Sequence, residues 1–393
     1  MKKQIATYID SYSRELEIMG DKIFDFKELS YEEVQSAGLL ENELEKMGFK
    51  VYRGIAGLPT AFKGVYENGK GGISIGLLCE YDALKGLGHG CGHHLQGPTI
   101  LGAAKAIKDL VHDIPYKLVV YGTPGEETHG GKIQMVKEGC FQDVDFTLIV
   151  HGDVATRTDV KSMALTPARV IFHGKSSHAA IKPEMGRSAL DAMLLAFNGI
   201  EFLREHVKDD TRMNYSIAQA IEPANIVPAE AIADFDLRSY NSFYLDKVIK
   251  RFENIVKGAA LMTDTTYEIK YEDRYESKIP SYVLNQTLMD NAKLVGAPNL
   301  QPAREKTGST DYGNVVFQKP GAVIRIAFAP ENSVAHSVEY VAAGKSSGGH
   351  KMINYGAKIV ALTIYDVLSQ PALLKKIQNE YAELKEKMGK EGN

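Results

Sequence analysis

The sequence of 393 residues has few cysteines, no basic block and no long apolar stretch, and each scarcity excludes a class of protein. The cysteines, Cys79, Cys91 and Cys140, are an odd number in a large chain. They therefore predict no disulfide framework and are typical of the reducing cytoplasm. The net charge is −4, from 46 basic and 50 acidic residues, so we expect no nucleic-acid partner.

Neither a targeting segment nor a membrane span is predicted. The segment Met1–Ile18 is charged and polar throughout, and it lacks the apolar stretch and small-residue cleavage site of a secretory signal. No stretch approaches the roughly 20 apolar residues that cross a bilayer. We therefore expect a cytoplasmic protein with no membrane partner.

The first third of the chain is typical of an α/β domain. Short apolar runs at Gly72–Leu78, Lys117–Tyr121 and Phe146–Val150 predict buried strands. The segment Thr99–Val111 carries Ala, Leu and Ile at helical spacing. Because strands alternate with helices, we predict a doubly wound, mostly parallel sheet.

A different pattern begins near residue 164 and predicts a small inserted domain. Its predicted elements are a strand at Ala168–His173, a helix at Arg187–His206, strands at Asn225–Val227 and Ala231–Leu237, and a helix at Phe243–Ala259. This βαββαβ-like order indicates a ferredoxin-like α+β unit. The α/β pattern then returns, so we predict a catalytic domain of 1–163 and 276–393, interrupted by 164–275.

Two short motifs supply possible metal ligands. Cys91 and His93 are two residues apart on a Gly-rich turn, where a thiolate and an imidazole can hold one cation or bridge two. Glu126 and Glu127 follow an apolar run, and adjacent side chains on extended backbone point to opposite sides. One carboxylate can then bind metal while its neighbour faces the substrate.

The ends of the predicted strands bring further polar side chains to the same place. Asp82 follows the first apolar run and His151 ends the third, and ligand sites in open α/β sheets lie along this edge. His336 follows a further predicted strand at 322–328; His350 competes for the same role, but we interpret it as a residue at a helix start. An acid at position 82 could orient an imidazole ligand.

Each motif alone has an ordinary structural explanation, and other functions stay open. A Cys-x-His pair can be a buried thiol beside a loop histidine, and an acidic pair can be a solvated turn. One alternative is a thiol hydrolase with Cys91 as nucleophile and His93 as base. Another is a metal- or peptide-binding protein of the same fold without catalysis.

Taken together, the motifs resemble the aminoacylase/carboxypeptidase family of di-metal amidohydrolases and metallopeptidases over nearly the whole chain. This family includes hippurate, auxin-conjugate and aminobenzoyl-glutamate hydrolases and β-alanyl-dipeptide dipeptidases. The resemblance lies in Tyr-Asp-Ala-Leu (81–84), His-Gly-Cys-Gly-His (89–93), Gly-Thr-Pro-Gly-Glu-Glu (122–127), Ser-Ser-His-Ala-Ala (176–180), Asn-Ile-Val-Pro (225–228) and Gly-Ser-Thr-Asp-Tyr-Gly-Asn (308–314). The glutamate motif and the last motif look most like the aminobenzoyl-glutamate and β-alanyl-dipeptide branch.

The resemblance implies a role for each of these positions. The implied metal ligands are Cys91, His93, Glu127, His151 and His336, with Glu126 as general base, Asp82 beside the ligands, and His178, Asn225 and Arg238 in contact with substrate. It also implies two divalent ions per subunit, zinc or manganese, and hydrolysis of an N-acyl amino acid or dipeptide with a free carboxylate. His178 would stabilise the oxyanion, and the inserted domain would form a homodimer or higher homo-oligomer in which its histidine reaches the partner's site.

The chain departs from the family pattern at two positions. His94 stands where the family usually has Asp or Asn, so His94 is itself a candidate metal ligand. The segment after the two glutamates contains His129, which places an extra imidazole near the predicted site.

Overall fold

A computed structural model describes residues 1–128, 130–220 and 222–392 and contains two compact units. The first comprises Met1–Ser162 and Lys278–Leu384, and the second comprises Met163–Ser277 and Lys385–Asn393. The residues from Lys385 onward thus belong to the second unit, whereas the sequence pattern predicted them in the catalytic domain. Asn241 Nδ2 of the second unit donates to Met388 O at 2.8 Å, which ties this end of the chain to that unit.

The strands lie in two separate sheets. In chain order the strands are β1 Lys50–Arg53, β2 Phe62–Asn68, β3 Ile73–Cys79, β4 Tyr116–Gly122, β5 Phe146–Asp153, β6 Arg157–Ser162, β7 Ala164–His173, β8 Arg212–Gln219, β9 Glu230–Ser239, β10 Thr266–Tyr271, β11 Arg304–Thr307 and β12 Gly321–Ala327. The first unit has the order β1-β2-β4-β3-β5-β12-β6-β11, and the second has β10-β7-β9-β8.

The helices are distributed over both units. In chain order they are α1 Lys2–Ser11, α2 Ser13–Phe26, α3 Val34–Lys46, α4 Gln96–Leu110, α5 Gly131–Lys137, α6 Ala189–Arg204, α7 Ser242–Thr263, α8 Tyr282–Leu294, α9 Tyr312–Gln318, α10 Val338–Ala343, α11 Ser347–Ser369 and α12 Pro371–Gly392. Of these, α6 and α7 belong to the second unit.

Four parallel strands, β4, β3, β5 and β12, form the centre of the first sheet. Their register places Leu78 opposite Tyr121 and Ile149, and Ile149 opposite Val323. Both faces are covered: α4 and α11 contribute to the core on one face, and α5 and α9 to the core on the other. These strands are apolar on both sides because neither face meets water. The predicted doubly wound, mostly parallel sheet is confirmed.

The second unit is an antiparallel sheet with α6 and α7 packed against it. Its element order is β7-α6-β8-β9-α7-β10, which confirms the predicted βαββαβ fold. Phe235 of β9 and Phe252 of α7 are buried in its core, with ring centroids 5.0 Å apart.

One predicted strand of the second unit was wrong. Within Asn225–Val227, Ile226 forms only an isolated bridge with His178, and the second strand of the unit is β8, at Arg212–Gln219. Most side chains of β8 are exposed because it lies at the edge of the sheet. It therefore lacks the apolar run that marks a buried strand.

Among the described residues, no single helix is long and apolar enough to cross a membrane. The pair α11 and α12 meets the length and composition of a span only when taken together, and the two are bent by 100°. Much of α11 is buried in the core of the first unit.

Candidate active site

The turn after β3 holds the predicted thiol and imidazole ligands at the carboxyl edge of the sheet. Gly92 separates Cys91 from His93 and has φ of +80°, a conformation that glycine adopts without steric cost. Cys91 Sγ lies 3.6 Å from His151 Nε2. His93 Nδ1 lies 2.9 Å from Asp82 Oδ1, so the Asp82 carboxylate fixes the orientation of this imidazole.

The turn after β4 holds the two glutamates and is fixed by carboxylates from outside it. Glu127 N–H donates to Asp82 Oδ2 at 2.9 Å, and Ser30 Oγ donates to the same oxygen at 3.0 Å. Gly125 N–H donates to the buried Glu33 Oε1 at 2.8 Å. Gly125 has φ of +74°, so its conformation also favours glycine. The backbone of this turn is thus held at two points.

The two remaining histidines reach the same edge from β5 and from the loop after β12. His151 is near the end of β5, and its Nδ1 lies 2.7 Å from Gly152 O and 2.9 Å from Arg325 Nη1. His336 has φ of +68°, which is uncommon for a residue with a side chain, and its N–H donates to Gly90 O at 2.9 Å. This strained residue places His336 Nε2 3.6 Å from Glu127 Oε2.

These side chains converge on one place. The described residues form four overlapping groups in which the possible ligand atoms lie within 4.8 Å of one another: Cys91, His93 and His151; Cys91, Glu127 and His336; His93, Glu126 and Glu127; and Glu80, Glu126 and Asp311. All five predicted ligands and the predicted base belong to them.

The chemistry of the donors fits a divalent transition metal. Among the described residues, the buried atoms His93 Nε2 and Glu127 Oε1 have no hydrogen-bond partner, although Glu80 Oε2 lies 3.2 Å from His93 Nε2. Such atoms are costly unless something binds them. The thiol, imidazole and carboxylate donors match the ligand types of zinc, and carboxylates also suit manganese. The residues present therefore fit the implied metal site.

Charge at the site is dominated by carboxylates. Burial, Glu80 and Asp311 raise the pKa of Glu126 well above its usual value. Burial alone would lower the pKa of His93, but the carboxylates of Glu80 and Asp82, with Cys91, raise it well above the usual range. Neighbouring carboxylates contribute to both shifts, and a bound cation would offset their negative charge.

The thiol and His151 respond mainly to burial. Burial raises the pKa of Cys91 to about 12. Burial and the Arg325 guanidinium lower the pKa of His151 to about 3, so this imidazole is neutral, the form that binds metal. A cysteine nucleophile and a cysteine metal ligand must both be thiolates. A bound cation deprotonates a coordinating thiol, whereas a thiol hydrolase has no such help, so the raised pKa of Cys91 counts against that alternative.

Two other candidate histidines, His94 and His350, lie outside these donor groups. His94 is buried, with Nε2 3.2 Å from Gly344 O and its ring centroid 4.9 Å from that of Phe24. Among the described residues it belongs to none of the metal-donor groups, so its proposed metal role has no geometric support. His350 lies in the first turn of α11, as expected, with Nε2 2.9 Å from Asp21 Oδ1. His129 lies outside the described residues.

The predicted substrate contacts of the second unit occupy two different places on it. Ala179 N–H donates to Asn225 O at 3.0 Å, so His178 and Asn225 are on adjoining loops. Arg238 is on β9 opposite Leu165, and its Nη2 donates to Asp236 Oδ2 at 2.7 Å. The structure therefore brings His178 and Asn225 together but not Arg238 with them.

The structure adds site residues to which the motifs assigned no role. Glu80, Lys132 and Asp311 form a buried ion network beside Glu126. Glu80 comes directly after β3, and Asp311 lies within the 308–314 motif. Their positions in the sequence therefore partly indicated that they lie at the site. Lys132 gave none, because a single lysine in a Gly-Gly-Lys segment is typical of an exposed surface.

Comparison with known proteins shows the family of this chain. The model of peptidase family M20/M25/M40 matches residues 78–365. The chain belongs to this family. It is a metal-dependent hydrolase of the peptidase and amidohydrolase class, and the predicted family resemblance is confirmed.

Individual relatives cover almost the whole chain. The Xaa-Arg dipeptidase of Mus musculus is 31% identical, over 97% of this chain and 92% of its own length. One of the subunits of the p-aminobenzoyl-glutamate hydrolase of Escherichia coli is 30% identical, over 93% of this chain and 92% of its own length. A solved Bacillus subtilis protein, described as a dinuclear metal-binding peptidase from the M20 family, has a TM-score of 0.68 at 15% identity, over 92% of this chain and 99% of that one.

Asp82→Asn tests whether this carboxylate orients a metal ligand. We expect metal affinity to fall by about 10- to 100-fold, because the variant loses the carboxylate that holds the His93 imidazole. Competition with a chromogenic chelator measures the dissociation constant. The matched control is Asp145→Asn, since Asp145 Oδ2 also accepts a backbone N–H, from Ser74 at 2.8 Å, at the opposite end of β3. Equal affinity in wild type and Asp82→Asn would contradict the role.

Proposed function

We propose that the protein hydrolyses the amide bond of a dipeptide or N-acyl amino acid with a free carboxylate, using two divalent ions, zinc or manganese, and Glu126 as general base. The proposal rests on the meeting of five donor residues with a second carboxylate, Glu126, at one edge of the sheet. A protein that only binds metal has no need of that carboxylate. The Xaa-Arg dipeptidase and aminobenzoyl-glutamate hydrolase relatives support this substrate class.

Two ions held by Cys91, His93, Glu127, His151 and His336 would lower the pKa of a water and polarise the substrate carbonyl. The chain's own residues prepare this reaction. The Asp82 carboxylate binds the imidazole of His93 and the backbone N–H of Glu127. One carboxylate thus sets the positions of two proposed ligands. When Nε2 of His151 binds metal, its Nδ1 carries the proton and donates to Gly152 O at 2.7 Å.

Glu126 is placed to move protons. Its carboxyl group is only partly exposed, and its Oε2 lies 4.0 Å from His93 Nε2. Thr310 Oγ1 donates to its Oε1 at 3.3 Å, which fixes the orientation of the carboxyl group. From there Glu126 would accept a proton from the attacking water and deliver it to the leaving amine.

Glu126→Gln separates proton transfer from metal binding. The variant keeps the shape of the side chain but cannot accept a proton, so we expect kcat to fall by about 10²- to 10⁴-fold with metal still bound. Steady-state kinetics and metal analysis of the same sample measure both quantities. A variant with near wild-type kcat would show that another group is the base.

A substrate panel with metal removal tests the reaction class. We expect hydrolysis of an Xaa-Arg dipeptide or of p-aminobenzoyl-glutamate, its loss after treatment with chelator, and its return with zinc or manganese. The same compounds with the C-terminal carboxylate converted to an amide are the control, and we expect them to react poorly because the proposed Arg238–carboxylate pair is missing. Chelator-resistant hydrolysis would exclude the metal mechanism.

The second unit supports the proposal of a dimer. On β9, Glu230 pairs with His173 near the His178 loop, whereas Arg238 is eight residues further along, about 27 Å away on an extended strand. A dipeptide spans only about 7 Å. Because the separation along β9 is several times the length of a dipeptide, we propose that His178 reaches the substrate from a second copy. Ile217 on the edge strand β8 is 56% exposed and available for such a contact.

Mixing two inactive variants tests shared active sites. Glu126→Gln and His178→Ala should each be nearly inactive, but a mixed dimer would contain one site with both an intact Glu126 and an intact His178. We expect activity to return after subunit exchange, measured by turnover, with dimers seen by sedimentation velocity. Glu126→Gln mixed with Glu126→Ala is the control and should stay inactive. No recovery in verified mixed dimers would contradict the proposal.

A further inference from the structure

A fully buried ion network lies beside Glu126. Lys132, in the first turn of α5, has no exposed side-chain surface, and its Nζ lies 2.6 Å from Glu80 Oε1 and 2.8 Å from Asp311 Oδ1. The backbone N–H of Lys132 also donates to Asp311 Oδ2 at 3.1 Å. Glu80, Glu126 and Asp311 each offer an oxygen within 4.8 Å of the others.

A buried lysine in this place needs a physical reason. Removing an ammonium group from water is costly unless it is paired and hydrogen-bonded, and replacing such a network with apolar side chains is often neutral or stabilising. Three carboxylates within 4.8 Å of one another would repel, and Lys132 is the cation that its neighbours Glu80 and Asp311 share. The network thus keeps three acidic side chains together at one point beside the proposed metal ligands.

Two series of contacts connect Lys132 with Glu126. On one side, Asp311 follows Thr310, whose Oγ1 donates to Glu126 Oε1 at 3.3 Å. On the other side, Lys132 holds Glu80, whose Oε2 lies 3.2 Å from His93 Nε2, the same nitrogen that faces Glu126.

Gln96 further restricts Glu80 in this second series of contacts. Its Nε2 donates to Glu80 Oε2 at 2.7 Å, and its Oε1 accepts from Glu80 N–H at 3.1 Å. Glu80 is therefore fixed at both its backbone and its side chain. The Glu126 carboxyl group thus lies near Thr310 and His93, whose positions depend on Lys132 through Asp311 and Glu80.

We propose that Lys132 is a positioning residue for the reaction: its ammonium group holds Glu80 and Asp311 so that the Glu126 carboxyl group keeps its place beside His93. The inference rests on the proposed role of Glu126 as general base. Lys132 itself touches neither substrate nor any of the five proposed metal ligands in the described contacts.

Lys132→Met tests the proposal because methionine keeps much of the length of the side chain and removes its charge. We expect kcat for the cleaved substrate to fall by about 100-fold with KM little changed, since a small displacement of a catalytic group has this effect. Metal content and chelator-competition affinity should be no lower than in wild type, because the variant loses a positive charge near the cation site. Kinetics and metal binding are measured on the same purified holoenzyme.

The matched control is Lys2→Met, which removes a partly buried lysine of the first unit that pairs with Asp366 at 2.6 Å and Asn291 at 2.9 Å. We expect its kcat to match wild type even where urea unfolding shows lost stability. If Lys132→Met does not fold, Glu80→Gln combined with Lys132→Met removes opposite charges together, and the same loss of kcat is expected.

Three results would overturn the proposal. The first is wild-type kcat in a folded Lys132 variant while wild type itself is active, which leaves the proposed function intact. The second is a loss of kcat that is matched by loss of metal, which would make Lys132 a support of the metal ligands instead. The third is a wild type that cleaves no compound of the panel, which contradicts the proposed function and the role of Lys132 with it.

Discussion

The carboxylate of Asp82 is the constraint on which the rest of the site depends. It binds the imidazole of His93 through one oxygen and the backbone N–H of Glu127 through the other. The turn after β3 and the turn after β4 are thereby joined, although Asp82 and Glu127 are 45 residues apart in the sequence. Parallel strands bring the two turns to one edge of the sheet, and Asp82 then sets the distance between their ligands.

Prediction from sequence succeeded where burial and local motifs determine the structure. The runs that became β3, β4 and β5 are apolar because helices cover both faces of the sheet, so their pattern is direct evidence of their surroundings. It failed for β8, whose exposed residues carry no such pattern. It also could not find the pair Lys132 and Asp311, because the residues are 179 positions apart and meet only in the folded chain.

The histidine-rich motif shows the same limit at the level of single residues. His93 and His94 are adjacent and equally buried, yet one faces the donor groups and the other packs against Phe24. The short helical turn that begins at His93 directs the two side chains differently. Residue type and spacing therefore identify the ligand class, whereas the backbone direction at each position decides which imidazole reaches the site.

Hydrogen bonds from the N-terminal part of the chain reach the site. Ser30 and Glu33 lie well before residue 78, where the family match begins, yet they bind Asp82 and the backbone of Gly125. These two side chains, outside the ligand motifs, thus hold Asp82 and the glutamate turn in place. A change at Ser30 or Glu33 would therefore alter the placement of the two glutamates in this chain without altering any ligand motif.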